Sequence, residues 1–261
     1  MKLERLQIPS GDNTLSALHY KPDTTSRSVH LIHTHGFTAG KYSMDSLASY
    51  LAGKGFEGLT FDMIGHKSGA STGKLERIIQ APECLRDVLR FSENRLDWTN
   101  IVLVGHSLGA ASSLQVAAWE QESGAKSLSG VIALCMGDEP ARGFETPVGK
   151  AMLSQREAYI DGAPALRLLL ELSDLVHSLP KLEPFPTLFV AAKQDVLVTP
   201  NRVKAFADRI APHADLAEIE SSHLEAPDKA RTTLLRWLEK NHGGHGEKQT
   251  TIHETHERTR K

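Results

Sequence analysis

At 261 residues the chain has room for one large α/β domain or two small ones, and it can bury a core without disulfides or metals. Its content of 40% hydrophobic and 24% charged residues excludes disorder as the dominant state, and its 2 cysteines exclude a disulfide scaffold. With 30 Lys+Arg against 32 Asp+Glu the formal charge is -2, so no global basic footprint points to nucleic acid.

The opening segment Met1-Lys2-Leu3-Glu4-Arg5-Leu6-Gln7 lacks the apolar core of a secretory signal. No run approaches the ~20 apolar residues of a membrane span. A cytoplasmic protein without an integral membrane part is the expectation. Residues 3–8 and 15–20 read as two strands joined by Ser10-Gly11-Asp12-Asn13, a turn composition that predicts an antiparallel hairpin. The pattern then changes to strand and helix in alternation. Strands are predicted over 29–33, 58–61, 101–104, 131–136, 186–191 and 217–219. Helices are predicted over 42–54, 78–96, 108–122, 201–210 and 228–240. Strands that are apolar throughout, separated by helices of ten residues or more, predict an α/β fold with a doubly wound, mostly parallel sheet covered on both faces. In such sheets functional groups gather at the carboxyl ends of the strands.

From about residue 137 to 182 the alternation stops. Residues 146–160 read as one helix, Asp161-Gly162 as a break, and 164–179 as a second helix. In the second, Ala165, Leu168, Leu169, Leu172, Leu175, Val176 and Leu179 follow the helical apolar spacing, and Leu166 and Leu170 widen the stripe. This predicts a helical insertion between two strands. It either packs as ordinary helices or forms a lid whose underside lines a pocket. Met136, Met152, Leu169 and Leu172 are the expected substrate-binding residues, with core packing as the competing account. The sheet and insertion give one domain over 1–240. Residues 241–261, with His242, His245, His253 and His256 at no compact metal spacing, read as a flexible tail.

The most informative stretch is Ile101-Val102-Leu103-Val104-Gly105-His106-Ser107-Leu108-Gly109. G-x-S-x-G alone is a weak signal. Here four apolar strand residues precede it and a helix follows, the setting in which a serine sits in a strained elbow with its oxygen projected from the sheet. A nucleophilic serine needs a base and an orienting acid. Asp195 stands just past the strand at 186–191, and His223 stands just past the strand at 217–219, in the order acid then histidine. Taken singly, each has a plainer reading as a turn or helix-start residue. The segment His33-Thr34-His35-Gly36-Phe37 follows another strand. There the Phe37 N–H, with the Leu108 N–H, is placed to meet a developing oxyanion.

These residues together resemble the α/β-hydrolase-fold serine hydrolases, over roughly residues 1–240. Within that fold the chain resembles the branch of lysophospholipases, monoglyceride lipases and serine-aminopeptidase-like enzymes with a short helical lid. His35-Gly36-Phe37, Phe61-Asp62-Met63-Ile64-Gly65-His66, Gly105-His106-Ser107-Leu108-Gly109, Asp195 and His223 carry it. The resemblance implies Ser107 as nucleophile, His223 as base, Asp195 as acid, and Phe37 and Leu108 as oxyanion donors. The chain departs from the family pattern at Lys67, Ala192 and Ser222, where the family has glycine, and Gly69 shifts the turn after Gly65. Asp138, after the strand at 131–136, competes with Asp195 for the acid role. His35 and His106 flank the site and are read as holding loop backbone, His33 as structural, Cys84 and Cys135 as packing residues.

The expected function is hydrolysis of a carboxylic ester with an apolar acyl or alcohol group. It calls for no cofactor, no metal and no partner beyond a small-molecule ester, in a monomer or homodimer. Thioester or amide hydrolysis or acyl transfer on the same triad, and a slow-turnover binding or signalling module, are the alternatives.

Overall fold

A computed structural model describes residues 1–243 of the chain; the tail expected over 241–261 lies outside them from residue 244 onward. The chain opens with the hairpin of β1 (Lys2–Ser10) and β2 (Asn13–Lys21). Ser10 pairs with Asn13, and Gly11 takes a positive φ of 53° in the two-residue turn. Then follow β3 (His30–Thr34), α1 (Asp45–Ala52), β4 (Glu57–Phe61), α2 (Gln80–Arg95), β5 (Ile101–His106) and α3 (Leu108–Ser123). After β6 (Leu128–Leu134) come α4 (Pro147–Arg156) and α5 (Ala165–Ser178). The chain closes through β7 (Thr187–Ala192), α6 (Pro200–Ile210), β8 (Asp215–Ile219), α7 (Ala226–Lys229) and α8 (Arg231–His242).

The eight strands form one sheet in the order β1-β2-β4-β3-β5-β6-β7-β8. β2 is antiparallel to both β1 and β4, and every other pairing is parallel. Two-residue alternation within the apolar strands feeds two separate cores. Ile101, Leu103, Val131, Ala133 and Phe189 point to the layer of α2, α3, α5 and α6. Val102, Val104, Ile132, Leu134 and Val190 point to the layer of α1, α7 and α8. Burial on both faces explains why these strands are apolar at every position. Among the described residues no helix is long and apolar enough to cross a membrane.

The insertion between β6 and β7 divides into two parts with different jobs. Its first part is a 3-10 turn (Pro140–Glu145), α4, and a second 3-10 turn (Glu157–Tyr159), so the single helix expected over 146–160 ends early. Thr146 caps α4, its hydroxyl accepting from Gly149 N–H at 3.0 Å, and Pro147 starts it. The second part, α5, is no cover. Leu168, Leu169, Leu172 and Val176 are buried in the same core as α3, while Leu166 and Leu170 face outward.

Between the two parts, residues 159–163 are laced to the loop after β4. Lys67 N–H donates to Tyr159 O, Asp161 N–H to Gly65 O and Leu75 N–H to Asp161 O, each at 2.8 Å, and Ala163 N–H to Leu75 O at 2.9 Å. The chains approach so closely that a Cβ on Gly162 would stand 2.2 Å from Leu75 O. The break at Asp161-Gly162 is therefore an anchor as well as an interruption.

If α5 belongs to the core, Leu172→Ala should cost about 2–5 kcal/mol, whereas Leu170→Ala on the outer face should stay within about 0.5 kcal/mol. Urea unfolding of the two variants checks this. Equal effects would mean that α5 is not docked.

Candidate active site

The site is built where the carboxyl ends of β3, β5, β7 and β8 come together. The turn from β5 into α3 is the tightest piece of it. A Cβ on Gly105 would stand 2.2 Å from Gly109 O, and one on Gly109 would stand 2.2 Å from Thr34 O. No side chain fits at either position. Between them Ser107 adopts φ 52° and ψ -116°, a conformation that L residues seldom take. Its N–H donates to Leu134 O at 2.9 Å, and its carbonyl accepts from Ala110 and Ala111. Backbone bonds thus fix the elbow, and the Ser107 side chain is left on the wall of a cavity.

Asp195 and His223 arrive from the next two strands. The Asp195 carboxylate is buried, and Oδ1 accepts from the N–H groups of Leu197 and Val198, both at 2.8 Å. Oδ2 accepts from His223 Nδ1 at 2.6 Å. A carboxylate accepts the hydrogen bond of Nδ1–H, so Nδ1 keeps its proton and Nε2 is the ring's other nitrogen, turned away from Asp195. The His223 carbonyl is held in turn by the His106 ring, whose Nε2 donates at 2.9 Å.

The loop after β3 passes beside the elbow. A Cβ on Gly36 would lie 3.3 Å from Ser107 Cβ and 3.1 Å from His106 Nδ1. Among the described residues neither the Phe37 nor the Leu108 N–H has a protein acceptor. Leu108 opens α3, where the first N–H groups have no partner within the helix. His35 braces this loop: Nδ1 donates to Gly36 O at 2.8 Å, and Nε2 accepts from Met63 N–H at 3.1 Å. A buried ion pair of Lys41 with Asp62 braces it from below. Asp62 also accepts from Lys41 N–H at 2.7 Å and Ala70 N–H at 2.9 Å. Gly69 is needed there, because its Cβ would stand 2.3 Å from the Asp62 carboxyl carbon. The departure at Lys67 to Gly69 therefore keeps a glycine at the close approach and moves it along the loop.

The cavity encloses about 430 Å³, a size ordinary for small-ligand sites. Ser107 and His223 form its floor with Phe37. Its walls include Tyr42, Phe144, Met152, Leu153, Leu197 and Leu224, so they are mainly apolar, with Arg156 and Tyr159 among them.

Residues 31–258 match the model of the Alpha/beta hydrolase family. The chain belongs to the alpha/beta hydrolase family. The whole β1–β2 hairpin precedes the matched region. Among solved structures it is similar to an alpha-beta serine hydrolase homologue from Coxiella burnetii, with TM-score 0.65, 23% identity, and coverage of 90% of this chain and 97% of that one. It is similar to an esterase of Pyrococcus furiosus at TM-score 0.68 and 17% identity, covering 93% of each chain. It is also similar to Est1E from Butyrivibrio proteoclasticus, solved with ferulic acid, at TM-score 0.69 and 21% identity, covering 89% of this chain and 99% of that one. At these identities the likeness is one of fold. No curated protein matches the sequence significantly.

Placed on this alpha/beta hydrolase, the expected substrate-binding residues separate. Met152 lines the cavity. Met136, Leu169 and Leu172 do not. They are buried in the core shared with α3: Met136 just past β6, and Leu169 and Leu172 because α5 turns its apolar stripe toward that core. Asp138 is also elsewhere: its Oδ1 accepts from Arg209 Nη2 at 2.8 Å. Phe144, Leu153, Arg156, Tyr159 and Leu197 line the cavity without having been singled out by the sequence, which contains no local pattern for them. His106, Cys135 and His223 bring ligand atoms within 4.8 Å of one another. The two rings are engaged in the bonds above, and burial, reinforced by Asp195, holds the Cys135 thiol well above its usual pKa.

Four histidines in and around the site are buried and held neutral. Burial pushes His33, His66 and His106 down to about 3, and it lowers His35 as well. Unfolded, these rings titrate near 6.5, so below that value the unfolded chain binds more protons than the native one. The stability is full above about pH 6.5 and is lost as pH falls toward 3. At pH 5 unfolding should take up about three protons from His33, His66 and His106 alone. Thermal unfolding between pH 7 and pH 5 reads this as a falling Tm. A Tm flat over that window would refute it.

Proposed function

We propose that this protein hydrolyses carboxylic esters carrying an apolar acyl or alcohol group, through an acyl-enzyme on Ser107. The observation that supports the reading best is the Asp195–His223 hydrogen bond at 2.6 Å beside a cavity that Ser107 also lines. In the proposed reaction Ser107 Oγ attacks the ester carbonyl carbon while His223 Nε2 takes its proton. The Asp195 carboxylate holds Nδ1–H and stabilises the imidazolium that forms. The Phe37 and Leu108 N–H groups stabilise the tetrahedral oxyanion, a contribution of about 3–4 kcal/mol per donor in well-studied cases. His223 then gives its proton to the leaving alkoxide, and the alcohol departs. Water, deprotonated by the same ring, attacks the acyl-enzyme carbonyl, and the acid leaves with Ser107 restored.

Phe144, Met152 and Leu153 support the apolar preference, since they face the cavity from the first part of the insertion. In this reading residues 140–159 serve as the lid, a smaller lid than the whole insertion, and α5 serves as its foundation. All the proposed groups lie on one chain, which suits a monomer or an independent site in each half of a homodimer.

Ser107→Ala should lower kcat by at least about 10⁴-fold on p-nitrophenyl esters and should abolish fluorophosphonate labelling. Asp195→Asn should cost on the order of 10⁴-fold by releasing the histidine tautomer. Ester turnover across chain lengths that is indifferent to Ser107→Ala would sink the proposal. Faster turnover of matched thioesters than of oxygen esters would move the activity to thioester hydrolysis.

A further inference from the structure

Arg156 is the last residue of α4, and its side chain enters the wall of the cavity. A cation at a helix C-terminus is favourable in itself. That accounts for the residue type there, and not for its turning inward. Its Nη1 donates to Thr38 Oγ1 at 3.2 Å, its one hydrogen bond among the described residues. Thr38 is a neutral partner, so the guanidinium charge is left uncompensated. The other arginines of the insertion are differently placed: Arg142 pairs with Glu139 and Arg167 with Glu171 at the surface. Among the described residues no carboxylate lines the cavity. His106 is neutral there. Arg156 is therefore the one fixed cation of the lining among the described residues.

The surroundings make this charge effective. Phe144, Met152 and Leu153 are its neighbours on the wall. Apolar walls lower the local dielectric and strengthen a charge-assisted hydrogen bond. The planar fork of a guanidinium matches the two oxygens of a carboxylate or phosphate. Thr38 follows Phe37 directly and takes a positive φ of 64°. Its bond thus places the cation beside the loop that supplies the proposed oxyanion donor.

We propose that Arg156 selects esters that carry an anionic oxygen group, carboxylate or phosphate-like, at the end of an apolar chain. Resting on the ester-hydrolase reading, this narrows its substrate class from neutral apolar esters to amphiphilic anionic ones. The apolar wall takes the carbon chain and Arg156 takes its charged end.

The test compares monoethyl succinate, glutarate and adipate with neutral ethyl esters of matching length, and adds ethyl esters ending in a phosphonate. At least one anionic ester should exceed its neutral counterpart by about tenfold or more in kcat/KM. Arg156→Met should erase that ratio, mainly through KM, and Arg156→Lys should keep part of it. A preference for the phosphonate arm assigns the anion as phosphate-like, and a preference for the dicarboxylate arm assigns it as carboxylate. Neutral esters preferred at every length, or a ratio that survives Arg156→Met, would overturn the proposal. A mere latch to Thr38 would lower both ester classes alike and leave the ratio standing, which also overturns it. If Ser107 resists fluorophosphonate and no ester turns over, the hydrolase reading fails separately. Binding then decides the Arg156 proposal: the monoethyl dicarboxylates should raise the Tm of the wild type and not of Arg156→Met, and no shift in the wild type overturns it.

Discussion

The close passage of α3 over the ends of β3 and β5 governs the remainder of the site. Two glycines make that passage possible, and each would bring a Cβ to 2.2 Å from backbone oxygen if replaced by any other residue. The consequence is a serine forced into φ 52° between them. Such a conformation costs on the order of 1–3 kcal/mol, and the surrounding structure must impose it. Here the imposition is visible. β5 lies between β3 and β6 in the middle of an all-parallel region, and Ser107 N–H is tied to Leu134 at the end of β6. The elbow cannot relax without breaking sheet pairing on both sides. The same passage brings the Gly36 loop against Ser107 and leaves the Leu108 N–H at the bare start of a helix.

Charge is handled around this elbow by exclusion. His33, His35, His66 and His106 are buried and neutral; His35, His66 and His106 each hold a backbone carbonyl, and His33 is packed without a hydrogen-bond partner among the described residues. Only His223 is coupled to a carboxylate by a hydrogen bond at the cavity floor. Lys41 forms a buried ion pair with Asp62 beside the site, and Asp62 is supplied with two further N–H donors. A buried pair of this kind adds little net stability, but removing one partner costs about 3–5 kcal/mol because the other charge is stranded. Its value is geometric: it fastens the loop bearing Phe37 to the loop that anchors the insertion.

That anchoring explains how one insertion performs two tasks. Residues 159–163 are stitched to the loop after β4 by four backbone hydrogen bonds. On one side of the stitch, α4 and its flanking turns lie over the cavity. On the other side, α5 is folded into the core by Leu168, Leu169, Leu172 and Val176. A stripe of leucines at helical spacing identifies a buried face, but the spacing is the same whether the face meets a sheet or a substrate.

The sequence determined the alternation of strands and helices, the opening hairpin, the serine between its glycines, and the order of Asp195 and His223. Each of these is written locally, in two-residue or helical periodicity or in the demand of a turn for glycine. The covering of the sheet on both faces is nearly as local, because fully apolar strands fit only a layer buried on each side. Tertiary structure alone decided which residues face the cavity. Met136, Leu169 and Leu172 have the chemistry of a lining and lie in the core, whereas Arg156 reads as an ordinary helix-end cation and stands in the wall. Tertiary structure also brought Asp195 to His223 and Asp138 to Arg209. The reason is physical. Periodicity fixes which side of an element is apolar, but the direction in which that side points is set by long-range docking, here the stitch at Gly65 and Gly162, which no local pattern contains.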